Sequence, residues 1–284
     1  MSQLPPDVFA LIDASVVEDQ TFNDPTTHAV VPPDIQGTGW LRAKATGVLA
    51  GVDVAIAVFK RVDPTLDARA ILQDSAPLSP GDDIAVVRGS AAGILRAERI
   101  ALNFMQRMSG IASDTNRYVE AVRGLNARIV DTRKTAPGHR FLDKYSVRMG
   151  GGYNHRLNLA DGILIKDNHI QANAFREMGL KDVIQLALAR ASHTIKVEVE
   201  VESMDQVQEA LEAGAHIIML DNMSVPEMAE AIKVIGDRAI VEASGGITYD
   251  TVRAVAETGV DLISIGGLTH SVDALDISLD LEFD

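Results

Sequence analysis

The chain contains no cysteine, which removes disulfides, thiolate metal sites and a cysteine nucleophile from what it can do. Aromatic residues make up only 4% of its 284 residues, while hydrophobic residues make up 46%. Its core must therefore be built from Val, Ile, Leu, Ala and Met, as buried parallel strands and their covering helices are, which favours α/β over a β-sandwich. Positive charge is scarce as well: 26 Lys and Arg face 40 Asp and Glu, for a net charge of −14. Such a balance argues against a general nucleic-acid or anionic-membrane surface, so neither is expected as a partner. No run approaches the roughly 18 apolar residues of a membrane span. The opening MSQLPPDVFALIDASVVEDQ has no basic n-region and carries acids inside its apolar stretch, so it does not read as a secretory signal, and cytoplasm is the expected compartment.

What is present is a rhythm. From about Arg128 onward, short β-branched runs (ARIVDT, DGILIK, TIKVEVEV, AHIIML, RAIVEA, VDLISI) alternate with amphipathic helical stretches such as LKDVIQLALARA, SMDQVQEALEAGA, SVPEMAEAIKVIG and TYDTVRAVAETG. Successive βα units of this kind form a parallel sheet, with Gly214, Gly236 and Gly259 closing most of the returning helices. The first hundred residues lack that repeat. There VVPPDIQGTGWLRAKATGVLAGVDVAIAVFKRV reads as strand-like runs broken by Gly and Pro, and DSAPLSPGDDIAVVRGSA as a further hairpin. A smaller α/β domain is expected over 1–110, with Trp40 anchoring its core. Residues Ile94 to Gly124 read as long helical structure with an apolar stripe of Leu95, Ala101, Leu102, Met105 and Met108. A barrel domain follows over 111–270, and the tail 271–284 is expected to pack on the small domain.

In barrels of this kind, chemistry collects at the carboxyl ends of the strands. Here those ends run into Arg133 and Lys134, Lys166, Asp221 and Asn222, Ser244 to Gly246, and Gly266 with Gly267. Residues 95–170 hold thirteen of the 26 cationic residues but only seven of the 40 acids. A positive patch set in an acidic protein suits a small, multiply anionic ligand, although solvated helix faces with salt bridges are the ordinary reading of a basic cluster. Strand alternation places Glu198, Glu200 and Glu202 on one face of KVEVEVE, where a row of glutamates is costly unless paired or metal-linked. Glu200 and Asp221 are the candidate ligands for a hard Mg²⁺ ion, directly or through water. The SGG and IGG glycine pairs, with Ser244, Gly245, Gly246, Gly266 and Gly267, offer backbone N–H groups to a phosphate.

Eight strings sharpen this reading: ERIALNFMQRMSGIAS (98–113), DTRKTAPGHR (131–140), KYSVRMGGGYNHR (144–156), LIKDNHI (164–170), EVEVES (198–203), MLDN (219–222), EASGGI (242–247) and GGLTHS (266–271). In this order and spacing, the chain resembles the quinolinate phosphoribosyltransferase family, the type II phosphoribosyltransferases also called nicotinate-nucleotide pyrophosphorylase (carboxylating). The departures are small: Ala136 stands where a Thr often follows the RKT run, and Met149 where a Cys is common. The resemblance implies an incomplete (β/α) barrel with a smaller N-terminal α/β sandwich domain. It implies phosphoribosyl transfer from phosphoribosyl pyrophosphate (PRPP) to quinolinate with decarboxylation, giving nicotinate mononucleotide for NAD biosynthesis. It assigns quinolinate binding to Arg99, Arg133, Arg156 and Lys166, with His155 and Thr132 nearby. Lys134 would meet a phosphate of PRPP, and His270 would lie beside the phosphate loop. A homodimer, with Arg99 reaching the neighbouring subunit's site, is implied by the family alone.

Three rivals stay open at the level of sequence. One is a related phosphoribosyltransferase acting on another anionic heterocycle, such as nicotinate without decarboxylation or the substrate of a relative associated with molybdate uptake. Another is a phosphate-binding barrel isomerase or lyase, which gives no reason for RK at one strand end and EVEVE at another. The third is a metabolite-binding protein whose cations only sense an anion.

Overall fold

The structure is a computed structural model describing residues 4–283. In chain order the first elements are α1 (Pro6–Glu18), α2 (Pro25–Val30), β1 (Gln36–Ala43), β2 (Gly47–Val48), α3 (Val52–Val62), β3 (Asp67–Ala70), β4 (Pro77–Leu78), β5 (Asp83–Ser90) and α4 (Ala91–Ala121). Then follow β6 (Arg128–Val130), α5 (Arg140–Met149), β7 (Ile163–Ile165), α6 (Asp167–Gln171), α7 (Leu180–Arg190), β8 (Val197–Val201) and α8 (Met204–Ala213). The chain continues through β9 (Ile217–Asp221), α9 (Val225–Ile235), β10 (Ile240–Ser244), α10 (Tyr249–Glu257), β11 (Leu262–Ser264), α11 (Gly267–His270) and β12 (Ile277–Phe283). Two compact units result. The first comprises residues up to Asn116, Thr135–Gly151 and the chain from Leu268 on; the second comprises Arg117–Lys134 and Gly152–Gly267.

In the first unit an antiparallel sheet of order β12-β1-β5-β3 carries α1, α3 and α4. Alternation on β1 buries Gly37, Gly39, Leu41 and Ala43 on one face, the period a half-covered strand requires. Two expectations fail here. VDVAIAVFKRV is helix α3 and not a strand: it buries Val52, Val54, Ala55, Ile56, Val58, Phe59 and Val62, and its first turn is capped from a distance. Asp74 accepts the backbone N–H of Gly51 at 2.9 Å and of Val52 at 3.0 Å, a tertiary N-cap that outweighs the β preference of its valines. The segment 74–91 is also no hairpin, because β4 pairs with β2 while β5 pairs with β1 and β3. On α4 the apolar stripe is centred on Ile94, Ala97, Ala101, Met105 and Met108, with Leu95 partly exposed. Trp40 is likewise only partly buried.

Helix α5 carries no strong sequence signal, and an ion pair fixes it. Arg107 donates to both oxygens of Asp143, at 3.1 and 3.0 Å, and its Nη2 also donates to the Thr269 carbonyl at 3.1 Å. Asp143 is fully buried and accepts the Ala136 N–H at 3.2 Å. Burial this deep is tolerable because the carboxylate is both paired and hydrogen-bonded.

The second unit is a six-stranded parallel sheet of order β6-β11-β10-β9-β8-β7, with β6 and β7 at its edges, the incomplete barrel expected. Helices return the chain between strands and are closed as the sequence suggests. Ser203 and Ser224 cap α8 and α9, and Gly214 ends α8 in the left-handed region, conformations these residues adopt readily. On β8 the fully buried Val197, Val199 and Val201 share one face, so Glu198 and Glu200 point to the other. On β10, Val241 and Ala243 alternate in the same way with Glu242. Because every pairing is parallel, all carboxyl ends emerge at one rim.

Candidate active site

The carboxyl rim of the second unit gathers the side chains that the sequence singles out at strand ends. After β6 come Thr132, Arg133 and Lys134, where the Thr132 hydroxyl accepts the Lys134 N–H at 3.0 Å and shapes the turn. The Arg133 Nε atom is buried and has no acceptor among the described residues, a guanidinium group left ready for an anion. Arg156 lies close enough that burial, and then the charge of Arg133, push its guanidinium below its ordinary value, with Glu198 opposing. Its Nη1 donates to the Gly162 carbonyl at 3.0 Å. Lys166, at the end of β7, pairs with Glu200 of β8. His169 Nδ1 accepts the Lys166 backbone N–H at 2.9 Å, so this histidine braces the turn after β7.

Beneath these cations lies a layer of buried acid. Asp131 is fully buried and accepts the His155 backbone N–H at 2.9 Å and the Asn154 amide at 2.6 Å. The His155 ring reaches Glu198 at 3.2 Å and Glu242 at 3.5 Å. Glu198 is 5% exposed and Glu242 1%. Burial and the neighbouring Glu198 hold the Glu242 carboxyl well above the ordinary carboxylate range, while His155, the Ser264 hydroxyl and Lys166 pull it back. Ligand atoms of His155, Glu198 and Glu242 fall within 4.8 Å of one another, so this N/O/O set also meets the spacing of a metal site.

At the ends of β9 and β10, Asp221 accepts from the Asn222 amide at 2.7 Å, and the Asn222 N–H donates to the Ser244 carbonyl at 3.0 Å. Gly245 is required where it stands: its φ is +87°, and a Cβ there would lie 2.3 Å from Asn222 Oδ1. Glu200 and Asp221 are partly exposed oxygen donors on neighbouring strands, the hard ligand type that suits Mg²⁺. Gly246, Gly266 and Gly267 complete the rim. Glu202, expected to share the inward face, lies just past β8 and is exposed. Arg99 and His270 belong to the first unit; Arg99 is exposed on α4, and His270 Nδ1 lies 2.7 Å from the Ser271 hydroxyl. Sequence reasoning missed Asp131 and Glu242 and underrated Glu198. The signal was available, since an acid flanked by Val241 and Ala243 in the middle of a parallel strand is the same oddity as the acids of KVEVEV.

Fold and rim together define an α/β-barrel enzyme for a small, multiply anionic substrate. Residues 24–109 and 111–280 match the models described as the N-terminal and C-terminal domains of quinolinate phosphoribosyl transferase. The chain belongs to the quinolinate phosphoribosyltransferase family. It is 43% identical to a nicotinate-nucleotide pyrophosphorylase [carboxylating] of Mycobacterium leprae, covering 91% of each chain. It is 42% identical to a mitochondrial quinolinate phosphoribosyltransferase [decarboxylating] of Nicotiana glauca, over 92% of this chain and 78% of that one. The crystal structure of NadC from Streptococcus pyogenes superposes with a TM-score of 0.93 at 40% identity, covering all of both chains.

Proposed function

We infer that this enzyme transfers the phosphoribosyl group of PRPP to the ring nitrogen of quinolinate and releases the 2-carboxylate as carbon dioxide. The products are nicotinate mononucleotide and pyrophosphate, in NAD biosynthesis. The observation that carries this reading is the buried Arg133 Nε, still lacking an acceptor among the described residues, in a family member whose Arg156 feels the charge of Arg133. Two adjacent carboxylates on one small ring call for several fixed cations, and planar guanidinium groups orient as well as neutralise them. Arg133, Arg156 and Lys166, with Thr132 and His155 beside them, hold the diacid. Displacement at the anomeric carbon then needs the ring nitrogen aligned behind the leaving pyrophosphate, a positioning task for these side chains. Ribosylation quaternises the nitrogen, whose positive charge stabilises the carbanion left at C2 when carbon dioxide departs, and a proton taken up at C2 completes nicotinate mononucleotide. Lys134 and the backbone of Ser244, Gly245, Gly246, Gly266 and Gly267, with His270, serve the phosphates of PRPP.

Glu200 and Asp221 would hold Mg²⁺, which when bound neutralises the leaving pyrophosphate. Glu200 pairs with Lys166, which holds that carboxylate at the rim. A homodimer is part of this reading, with Arg99 serving the neighbouring subunit's site. Mixing Arg99→Ala with Lys134→Ala subunits should then restore activity that neither has alone. The cytoplasm remains the proposed compartment; no helix among the described residues is long and apolar enough to cross a membrane.

The deciding experiment incubates purified protein with quinolinate, PRPP and Mg²⁺ and follows carbon dioxide and nicotinate mononucleotide together. Equal yields of the two are expected, with loss of both in chelator. Turnover of nicotinate in place of quinolinate would transfer the assignment to the non-decarboxylating rival, and undiminished turnover in chelator would remove the magnesium role.

A further inference from the structure

Glu242 is costly where it stands. It is 1% exposed, and no hydrogen bond of good geometry reaches either of its oxygens. A buried carboxyl group whose nearest ion-pair partner is His155 Nε2, at 3.5 Å, destabilises a fold unless something is gained from it. The same interior holds a second acid, Glu198, and between them comes the ring of His155.

The His155 ring is fixed at both nitrogens. Its Nδ1 accepts the backbone N–H of Arg156 at 2.8 Å, so the ring proton of the neutral imidazole belongs on Nε2. Nε2 faces Glu198 at 3.2 Å and Glu242 at 3.5 Å, and donates toward that pair. The backbone of the same residue is tied to Asp131. Residues 154–156 are thus anchored from two sides by three buried acids, and the next side chain along is Arg156. Arg156 must stay near Arg133 although the two cations repel each other. Without a fixed backbone and buried counter-charge, two like-charged guanidinium groups would swing apart into water, where each is better solvated.

We propose that Glu242, together with Glu198, is a positioning residue: the two buried carboxylates grip His155 Nε2 and so hold Arg156 beside Arg133 in the geometry that receives the substrate's paired carboxylates. Its other neighbours are consistent with that role. Lys166 and Ser264 are the remaining charged or polar groups acting on Glu242, and Lys166 is itself part of the rim. The acid therefore lies under the cations and does not compete for the ligand. The proposal rests on quinolinate being the substrate.

The test compares Glu242→Gln, which keeps shape and loses charge, with Glu242→Asp, which keeps a shorter carboxylate. Calorimetry measures quinolinate binding, steady-state kinetics gives KM for quinolinate and PRPP, and ¹⁵N NMR reads the His155 ring. In Glu242→Gln, quinolinate binding is expected to weaken about tenfold, the low end of the loss seen when the group orienting a metal-bound histidine is removed. The KM for PRPP should stay within about twofold, the thermal midpoint should not fall, and Glu242→Asp should recover part of the loss. In the wild type, His155 should show a protonated Nε2 and an unprotonated Nδ1. Unchanged quinolinate affinity in Glu242→Gln would overturn the proposal, as would an equal rise in both KM values or a proton on Nδ1 in the wild type. A stoichiometric divalent ion retained by the wild type and lost from Glu242→Gln would also overturn it, by making the trio a metal site. Failure of the wild type itself to bind quinolinate would instead sink the substrate assignment, so the two failures are distinguishable.

Discussion

The two rims of the six-stranded sheet are built from similar residue types and use them in opposite ways. At the amino rim, polar side chains are engaged by the backbone. Asp261 accepts the Val241 N–H at 2.9 Å, His216 Nδ1 accepts the Val197 N–H at 2.9 Å, and Arg238 donates to the carbonyls of Ile235 and Val234. These groups line a cavity of about 650 Å³ together with Lys196 and Gly259, yet their hydrogen-bonding capacity already serves strand and helix ends. At the carboxyl rim the buried Arg133 Nε lacks a partner among the described residues. A polar group satisfied within the fold contributes stability, whereas one left unsatisfied lowers stability and is available to a ligand. In this protein, hydrogen-bond bookkeeping separates scaffold from site more sharply than residue type does.

The widest gap between the rims should appear with Arg133→Ala. Losing a desolvated charge partner of a bound carboxylate should reduce kcat/KM for quinolinate by about a thousandfold, or ~4 kcal/mol, while the thermal midpoint stays near that of the wild type. A large drop in stability would mean that Arg133 belongs with the scaffold, and the contrast would collapse. Asp261→Ala at the opposite rim should do the reverse. It leaves the Val241 N–H without its side-chain acceptor and should cost ~2 kcal/mol in denaturant unfolding, with the kinetics of the folded enzyme unchanged. The finest discrimination comes from two glycines with positive φ. Gly259→Ala, with φ +99° and only Ile232 Cγ2 at 3.8 Å, should cost about 1 kcal/mol in backbone strain alone. Gly245→Ala must also displace Asn222 and should cost about 1 kcal/mol more, accompanied by a rise in KM for PRPP that Gly259→Ala does not share.

Legibility in the sequence followed the range of the interaction responsible. Strands β6 to β11 and helices α7 to α10 were readable because each is specified locally, by β-branched runs, helical spacing and caps such as Ser224 and Gly214. Arg133 and Lys166 were readable as candidates because basic residues at strand ends stand out in an acidic chain, and Arg156, in the connection before β7, because ordered motifs tied it to a family. Helix α3 was misread because its N-cap, Asp74, lies beyond its far end in sequence. Helix α5 escaped because the Arg107–Asp143 pair that fixes it joins two distant segments.

Composition and periodicity thus determined, without any coordinates, the parallel βα architecture, the exclusion of thiol chemistry and the rim on which the cations would lie. Tertiary structure alone decided which acids turn inward together and which nitrogen of His155 faces them. It alone decided that the Arg133 Nε is left without a partner among the described residues while the Arg238 Nε donates to the Ile235 carbonyl. The reason is physical: alternation along a strand fixes the face on which a side chain lies, but desolvation and pairing depend on what neighbouring strands bring to within about 3–4 Å, and one strand's sequence carries no record of that.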